Sequence, residues 1–385
     1  MSADRLEQQL AFLTEIDRLK TVERSTQITD GSRVENSAEH SWHLALYALI
    51  LSPYAAENVD IFLSIRMLLL HDLVEIDVGD HPIDVQTDWA AVAEKELVAA
   101  KRIFGLLPND QAHDLLAIWT EFEAAETPSA KFAKYLDWSQ PIFMTLFNPD
   151  RPDAHIDVVM NNLETGRASV LRQEFPEVHS YATRLLGWSD TAPEKDFQAR
   201  IDFLAEMDKL KSVLRATTLC DASRRENSGE HSWHIAMYAL ILGEHADRPM
   251  RMDRVLKMIL IHDLVEIDAG DKPIHGDHDT AKMAMIEQAA ADRIFGILPT
   301  DQRIELRALW EEFEAAESDD AVFAKSIDRV QPVIANLETG GGSWIEYNVS
   351  RQQLEDRVGW KVAKGAPALW SYLQGRLRSW FAQNA

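Results

Sequence analysis

The sequence ENSAEHSWHLALYALIL at residues 35–51 returns as ENSGEHSWHIAMYALIL at residues 226–242. In each copy, an Asn at the second position is followed three residues later by a Glu, as at Asn36 and Glu39, a pattern typical of a capped helix N-terminus. The residues that follow are apolar on nearly all sides, which predicts a helix buried inside the protein. Two equivalent buried helices are therefore the first structural feature that the sequence predicts.

The repetition extends over most of the chain at a constant offset of 191 residues. Three further pairs of segments keep this offset: HDLVEIDVGD with HDLVEIDAGD (71–80 and 262–271), RIFGLLPNDQ with RIFGILPTDQ (102–111 and 293–302), and FAKYLD with FAKSID (132–137 and 323–328). A repeat of this length is a whole domain and not a module of a solenoid. We expect two domains, residues 1–190 and 196–385, joined by a linker near residues 188–195 that contains Ser, Asp and Pro.

The spacing of apolar residues is helical throughout, and the few Gly and Pro residues lie between periodic segments. This pattern predicts five to seven helices in each half and no significant sheet. The expected fold class is all-α, with two tandem helical domains related by internal duplication. The two copies diverge after Asp137 and Asp328, where the second keeps the stretch GGGSW at residues 340–344.

Composition excludes several classes of protein. The chain has 385 residues, with 63 acidic and 39 basic side chains and a formal net charge of −24. Such an acidic surface repels nucleic-acid polymers and anionic membranes. The single cysteine, Cys220, cannot form an internal disulfide, which indicates a reducing compartment. The first residues lack the pattern of a secretory signal, and no apolar run is long enough to cross a bilayer, so we expect a cytoplasmic location.

Several residues whose side chains can bind a metal lie in or directly beside the apolar segments. His71-Asp72 directly follows the apolar run at residues 67–70, His40 lies in the first turn of a buried helix, and Asp137 lies between apolar neighbours. A bare buried His-Asp pair costs several kcal/mol, so it must be hydrogen-bonded, ion-paired or metal-bound. Two imidazoles and two carboxylates suit a divalent transition ion, and Mn, Co, Fe, Ni and Zn are all compatible. Three histidine pairs keep the 191-residue offset: His40/His231, His43/His234 and His71/His262.

This ordered set, EHSxxH, HDxxExxxGD and a later KxxD, resembles the HD-domain superfamily of metal-dependent phosphohydrolases. The nearest branch includes bacterial 5′-deoxynucleotidases of the YfbR type, and the resemblance covers nearly the whole chain, once per half. It implies an all-helical fold and one divalent metal per domain. The implied ligands are His40, His71, Asp72 and Asp137 in the first half, and His231, His262, Asp263 and Asp328 in the second. His43 and His234 are expected to support the ligands or pack in the core.

The resemblance also implies catalytic carboxylates. A Glu three residues after the HD Asp and the Asp of the GD pair are expected to position water and leaving group, which gives Glu75 and Asp80 in the first half and Glu266 and Asp271 in the second. The alternative is that these acids only hold the ligand histidines through hydrogen bonds.

Positive charge would be needed for a phosphate. Arg33 and Arg224 match an arginine of the family and are the candidate substrate-binding residues, with a surface salt bridge as an equal alternative. Arg24 and Arg215 keep the offset, but a surface salt bridge is the favoured interpretation for them. Lys134 and Lys325, three residues before the last expected ligand, are interpreted as electrostatic partners.

The first half departs from the family where the second does not. The second half has DRVQP from Asp328, whereas the first has DWSQP, with Trp138 in place of the arginine. The second half is therefore the more secure candidate for activity. Single-domain relatives pair as dimers, so the duplication predicts an intramolecular pseudo-dimer of the two halves.

These observations predict an enzyme, a metal-dependent phosphomonoesterase acting on a nucleoside 5′-monophosphate or a similar small phosphate ester. An activated water would attack phosphorus directly, since no Ser or Cys motif suggests a covalent intermediate. A non-catalytic protein that binds metal or nucleotide is the first alternative. A di-iron oxygenase is the second, disfavoured because the extra histidines it needs (His81 and His113, or His275 and His278) have no histidine counterpart in the other half.

Overall fold

A computed structural model describes residues 3–82, 87–276 and 279–384 of the chain. The first half contributes ten α-helices to the described residues: α1 (Ala3–Ile16), α2 (Ser37–Ile50), α3 (Ile61–Leu70), α4 (Glu75–Val78), α5 (Trp89–Phe104), α6 (Asn109–Ala124), α7 (Pro128–Phe147), α8 (Asp153–Glu164), α9 (Leu171–Glu174) and α10 (Pro176–Leu185). Short 3₁₀ segments follow α1 at Asp17–Thr21 and α3 at His71–Val74.

The second half repeats this order and ends differently. Its helices within the described residues are α11 (Lys195–Met207), α12 (Ser228–Leu242), α13 (Met252–Ile261), α14 (Glu266–Ala269), α15 (Thr280–Phe295), α16 (Thr300–Ala315), α17 (Asp319–Glu338), α18 (Ser343–Glu346), α19 (Arg351–Leu354), α20 (Trp360–Gly365) and α21 (Pro367–Gln383). A 3₁₀ segment at Asp208–Ser212 follows α11, and a π-helical turn at Glu355–Gly359 precedes α20. The expected all-α class with two tandem helical copies is confirmed. With short helices such as α4 and α14 included, the halves have ten and eleven α-helices among the described residues, more than the expected five to seven.

Each half also carries one small antiparallel hairpin, which is a minor addition to the all-α fold. Strand β1 (Glu23–Gln27) pairs with β2 (Val34–Asn36), and β3 (Leu214–Thr218) pairs with β4 (Arg225–Asn227). These segments are too short to show a clear alternation of apolar residues, so their strands could not be predicted. Each hairpin ends at the N-cap of a buried helix, and its first strand packs on the long helix that carries the last expected ligand, β1 on α7 and β3 on α17.

The repeated motif forms the buried helices α2 and α12, as its pattern predicts. The Asn36 side chain accepts hydrogen bonds from the backbone of Ala38 and Glu39, while the Glu39 side chain accepts one from the Asn36 backbone, which completes a capping box. All fourteen residues of α2 are buried. It packs against α3, α7 and the equivalent helix α12, so the core of the first half is continuous with that of the second.

The two halves contact each other through reciprocal hydrogen bonds. The indole of Trp42 donates to the Leu260 carbonyl at 3.2 Å, and that of Trp233 donates to the Leu69 carbonyl at 3.1 Å. The N-terminal helices also cross over, because α1 packs on α12 and α11 packs on α2. The first helix of each repeated unit therefore lies against the opposite half. The domain boundaries 1–190 and 196–385 stay a prediction.

We expect Trp42→Phe to lower the free energy of unfolding by about 1–3 kcal/mol, because it leaves the buried Leu260 carbonyl without its indole donor. Trp233→Phe should lower it by a similar amount through Leu69. Urea denaturation followed by circular dichroism measures both. Trp188→Phe is the matched control, since Trp188 is 40% exposed. A loss for Trp42→Phe no larger than that of the control would contradict this account of the contact.

No helix in the described part of the chain is both long enough and apolar enough to cross a membrane.

Candidate metal centres

The first half brings three of its expected ligands into one cluster. His40 comes from the first turn of α2, His71 from the end of α3 and Asp137 from the middle of α7, and one ligand atom from each lies within 4.8 Å of the others. The Asp137 Oδ1 lies 3.2 Å from His40 Nε2 and 3.9 Å from His71 Nε2. Asp72 joins from the next position, with its Oδ1 3.0 Å from His71 Nε2. All four expected ligands therefore lie together.

The second half repeats this arrangement. Ligand atoms of His231, His262 and Asp263 lie within 4.8 Å of one another. The fourth expected ligand, Asp328, places its Oδ1 3.3 Å from His231 Nε2. His262 Nε2 is 3.0 Å from Asp263 Oδ1, as in the first half. The two clusters thus share their ligand types, although the carboxylate that lies within 4.8 Å of both histidines is Asp137 in the first half and Asp263 in the second.

Hydrogen bonds fix which imidazole nitrogen is available. His71 Nδ1 lies 2.8 Å from the Leu68 carbonyl and His262 Nδ1 lies 2.7 Å from the Ile259 carbonyl, so Nδ1 carries the proton in both rings. The Nε2 atoms are buried, and neither makes a hydrogen bond despite its close approach to the neighbouring Asp. A buried ring nitrogen with a lone pair and no donor is costly unless a cation occupies its lone pair. The residues present therefore fit a divalent metal.

Electrostatics favour the metal-binding form of Asp137 and His71, whereas for His40 the hydrogen bonds with Asp137 and Glu35 outweigh burial and raise the pKa. Burial alone would raise the pKa of Asp137, but the hydrogen bond from His40 and the charge of His71 outweigh it and hold the pKa below its usual range. Burial lowers the pKa of His71. An ionised carboxylate and a neutral imidazole are the protonation states that a metal requires.

Two further carboxylates of each half lie at the edge of its cluster. Glu75 begins α4, and its carboxylate accepts a short hydrogen bond from the Ser37 hydroxyl. Burial, with the charge of Asp72, raises the pKa of Glu75 well above its ordinary value. The pKa of Asp80 is also raised, by burial against the opposing charge of Arg24. In the second half, Ser228 donates to Glu266 at 2.6 Å, and burial raises the pKa values of Glu266 and Asp271 in the same way. These groups are suited to exchanging protons.

The structure places the candidate substrate-binding arginines at the contact between the halves. Arg33 pairs with Glu39 and donates to the Lys211 carbonyl at 2.7 Å, and Arg224 pairs with Glu230 and donates to the Lys20 carbonyl. Neither lines the cavity beside the expected ligands of its half, and both donate to a backbone carbonyl of the opposite half.

Arg24 lines the first cavity, although a surface salt bridge was the favoured interpretation for it. It lies on β1 with 13% of its side chain exposed, and its Nη1 is 2.8 Å from Asp72 Oδ2, 3.8 Å from Glu75 and 3.6 Å from Asp80. Arg215 has the same place in the second half, 2.6 Å from Asp263 Oδ2. Arg24 and Arg215 could have been identified because they keep the 191-residue offset. Their place in the cavity depends on the hairpin, which was not predicted.

The expected ligand histidines make polar contacts with residues that were not predicted from the sequence. His40 Nδ1 lies 3.2 Å from Gln140 Oε1 and 3.3 Å from Glu35 Oε1, and Glu35 is fully buried. The Trp119 indole donates to the His71 carbonyl at 3.1 Å and holds the backbone of the HD pair. His43 donates to the Leu204 carbonyl and does not join the ligands, in keeping with the expected supporting role. Glu35, Gln140 and Trp119 could have been identified from the sequence, because each has an identical residue 191 positions later.

The cavities above the two clusters differ in size and lining. The first measures about 430 Å³ and the second about 180 Å³. Trp138 lines the first, whereas Arg329 takes the equivalent place in the second, with its Nε 3.4 Å from Asp328 Oδ2. Lys134 lines the first cavity, 3.0 Å from Glu123, as the expected electrostatic partner. The larger volume lies within the range of small-molecule sites.

The ligand groups found among the described residues contain two histidines each and no third. His81 lines the first cavity and His275 the second, but neither belongs to a ligand group. His278 lies outside the described residues. The described structure therefore offers no support for the di-iron alternative.

A helical domain that brings two His and two Asp side chains together from three helices is typical of a class of metal-binding proteins, and comparison identifies that class. The HD domain family (HD_3) matches the chain twice, at residues 16–179 and 207–370. These matches cover most of the chain, so it belongs to the HD domain family.

Named relatives match part of the chain. The 5′-deoxynucleotidase HDDC2 of Homo sapiens is 29% identical over 139 residues, which is 36% of this chain and 67% of that protein. The HDDC2 protein of Danio rerio is 28% identical, covering 40% of this chain and 78% of that protein. A solved structure, of a predicted metal-dependent phosphohydrolase from Magnetospirillum magnetotacticum MS-1, is 44% identical and covers 50% of this chain and 98% of that one, with a TM-score of 0.47.

Proposed function

We propose that the protein is a metal-dependent phosphohydrolase that removes phosphate from nucleoside 5′-monophosphates or similar small phosphate esters. One observation carries this proposal: in both halves, a buried histidine nitrogen without a hydrogen bond meets two carboxylates and a second histidine beside a cavity. The similarity to proteins named 5′-deoxynucleotidases favours a nucleotide as the ester. A divalent cation bound by these ligands would polarise the phosphate and activate a water molecule.

The residues around the ligands suit an attack by water on phosphorus. Arg24 carries a guanidinium into the cavity, where it offsets four carboxylates and would present donors to a phosphate oxygen. Glu75, held by Ser37, would accept the proton of the attacking water. Asp80, whose pKa is raised, would give a proton to the leaving oxygen. Arg215, Glu266 and Asp271 would take these roles in the second half.

The remaining proposals concern the state of the protein. We infer one metal per half, with Mn, Co, Fe, Ni or Zn compatible with the ligand set. We also infer an intramolecular pseudo-dimer, supported by the reciprocal bonds of Trp42 and Trp233. The acidic charge favours a small ester over a nucleic-acid polymer or a membrane surface. The single cysteine favours the cytoplasm.

In a chain whose second site is disabled by His262→Ala and Asp263→Ala, we expect Arg24→Gln to raise the KM for a nucleoside 5′-monophosphate. The rise should be about 10- to 100-fold, since hydrogen bonds to charged groups contribute about 1.5–3 kcal/mol. Steady-state kinetics at saturating metal measures it, with metal content checked in each variant. Arg102→Gln is the control, because Arg102 pairs with Asp77 on the surface. Equal KM values for the two variants would contradict the role of Arg24.

The function itself is tested by phosphate release from a panel of esters. Protein stripped of metal and reloaded with each candidate ion is incubated with ribo- and deoxyribonucleoside 5′-monophosphates, a 3′-monophosphate and a phosphodiester. We expect hydrolysis of 5′-monophosphates and none of the diester. Absence of turnover with every ion and ester would overturn the proposal in favour of a non-catalytic binding protein.

A further inference from the structure

A buried lysine of the second half reaches the metal centre of the first. Lys211 Nζ lies 2.8 Å from Glu35 Oε2, and the other oxygen of this carboxylate, Oε1, lies 3.3 Å from Nδ1 of the expected ligand His40. Gln140 bridges the same two groups, with 3.2 Å from its Nε2 to Glu35 and 3.2 Å from its Oε1 to His40. Lys211, Glu35 and His40 have almost no exposed surface. A continuous polar path therefore joins one half's lysine to the other half's ligand.

The same path exists in the opposite direction. Lys20, which belongs to the first half, places its Nζ 3.0 Å from Glu226 Oε2. Glu226 Oε1 lies 3.4 Å from Nδ1 of His231, and Gln331 again bridges the two. The same atoms are therefore joined in the same order in both halves.

The crossing of the N-terminal helices explains how the lysines arrive. Each lysine lies in the 3₁₀ segment that follows its first helix, at Asp17–Thr21 or Asp208–Ser212, and that helix packs on the opposite half. A buried ammonium group needs a close counter-charge, which an Asp three residues earlier supplies together with the Glu of the other half. The lysine is thus held in place by its own half and directed toward the other.

This geometry has a consequence for the ligand histidine. His40 binds a cation through Nε2 only if its proton is on Nδ1, and an acceptor at Nδ1 fixes that tautomer and the ring orientation. Gln140 Oε1 is that acceptor, and the amide nitrogen of Gln140 donates to Glu35 Oε2. Lys211 donates to the same Glu35 oxygen, so the position of His40 depends, through Gln140 and Glu35, on a residue 171 positions further along the chain.

We propose that each half completes the metal centre of the other: Lys211 positions His40 through Glu35, and Lys20 positions His231 through Glu226. This inference rests on the proposed metal centres and adds that neither is complete within its own half. Both lysines are positioning residues, since neither touches the cavity or the metal ligands directly.

The test uses full-length chains that retain one site. In the first background, His262→Ala and Asp263→Ala leave only the first-half site, and Lys211→Met or Lys20→Met is added. In the mirror background, His71→Ala and Asp72→Ala leave only the second-half site. The affinity for Co²⁺ alone is measured by competition with a chelator, and the visible spectrum of bound Co²⁺ reports ligand geometry. Circular dichroism confirms that each chain is folded.

We expect a crossed result. With only the first site present, Lys211→Met should weaken Co²⁺ binding roughly 10- to 100-fold and alter the spectrum, as loss of a group that orients a metal ligand does. Lys20→Met, an identical change at the mirror position, should leave that affinity unchanged. With only the second site present, the two lysines should exchange effects.

A purely structural role predicts another outcome, because general destabilisation affects either site through either lysine. Equal losses for both variants, or no loss for either, would overturn the proposal. If Lys211→Met or Lys20→Met fails to fold, Lys211→Gln and Lys20→Gln keep a donor at each position and must show the same crossed order. Because the readout is metal affinity, a protein that binds Co²⁺ but hydrolyses nothing would refute the proposed function and leave this inference standing.

Discussion

Replacing both HD pairs, His71 and Asp72 in one half and His262 and Asp263 in the other, should reduce hydrolysis of nucleoside 5′-monophosphates roughly 10³-fold or more. A metal ion contributes several kcal/mol to stabilising charge in a transition state, and each 1.4 kcal/mol corresponds to a factor of ten in rate. Steady-state measurement of kcat/KM for the fourfold alanine variant tests this. Each single-half variant separates the contribution of one site from that of the other.

The chain offers a matched control for this experiment. His113 and Asp114 form another His-Asp dipeptide, which lies exposed on α6 and outside both ligand groups. His113→Ala with Asp114→Ala therefore removes the same chemical groups without touching either cluster. A fourfold variant that kept the kcat/KM of this control would refute the assignment of the ligands.

Glu75→Gln together with Glu266→Gln should lower kcat roughly 10²- to 10⁴-fold, the usual contribution of a general acid or base. The affinity for the metal should remain, because neither Glu belongs to the ligand group of its half. Kinetics combined with Co²⁺ titration on the same preparations measures both quantities. Glu164→Gln, an exposed substitution at the end of α8, is the control.

A purely positioning role for Glu75 and Glu266 predicts a different combination of activity and metal affinity. If Glu75 and Glu266 only held the HD segment in place, activity and metal affinity would fall together, and raising the metal concentration would restore turnover. Loss of kcat at saturating metal is the outcome expected for residues that handle a proton.

The sequence was most informative where its pattern is local and strong. The apolar periodicity and the Asn36 capping pattern predicted α2, and the repeat at a constant offset predicted an equivalent helix, α12. Buried His and Asp residues need partners wherever they lie, so His71 and Asp72 could be singled out before any geometry was known. These predictions rest on the cost of burying polar groups, which does not depend on details of the tertiary fold.

The sequence was least informative where contacts join distant parts of the chain. Arg24 and Arg33 both keep the repeat offset, and only the hairpin decides that Arg24 enters the cavity while Arg33 turns toward the other half. The crossing of α1 and α11 was equally hidden, since nothing in an amphipathic helix specifies which half it covers. The expectation that the second half is the more secure site stays a prediction, and its narrower cavity with Arg329 gives it a different lining from the first.

The central claim is that hydrolysis requires one divalent cation at each HD centre. It is tested most directly by stripping the wild-type chain of metal and restoring Co²⁺ or Mn²⁺ stepwise, while bound metal and phosphate release from a nucleoside 5′-monophosphate are measured together. We expect the stripped protein to be inactive, activity to return with bound metal, and binding to saturate at two ions per chain and at one in each single-half variant. Full hydrolysis by the stripped protein, or activity that does not follow bound metal, would contradict the claim.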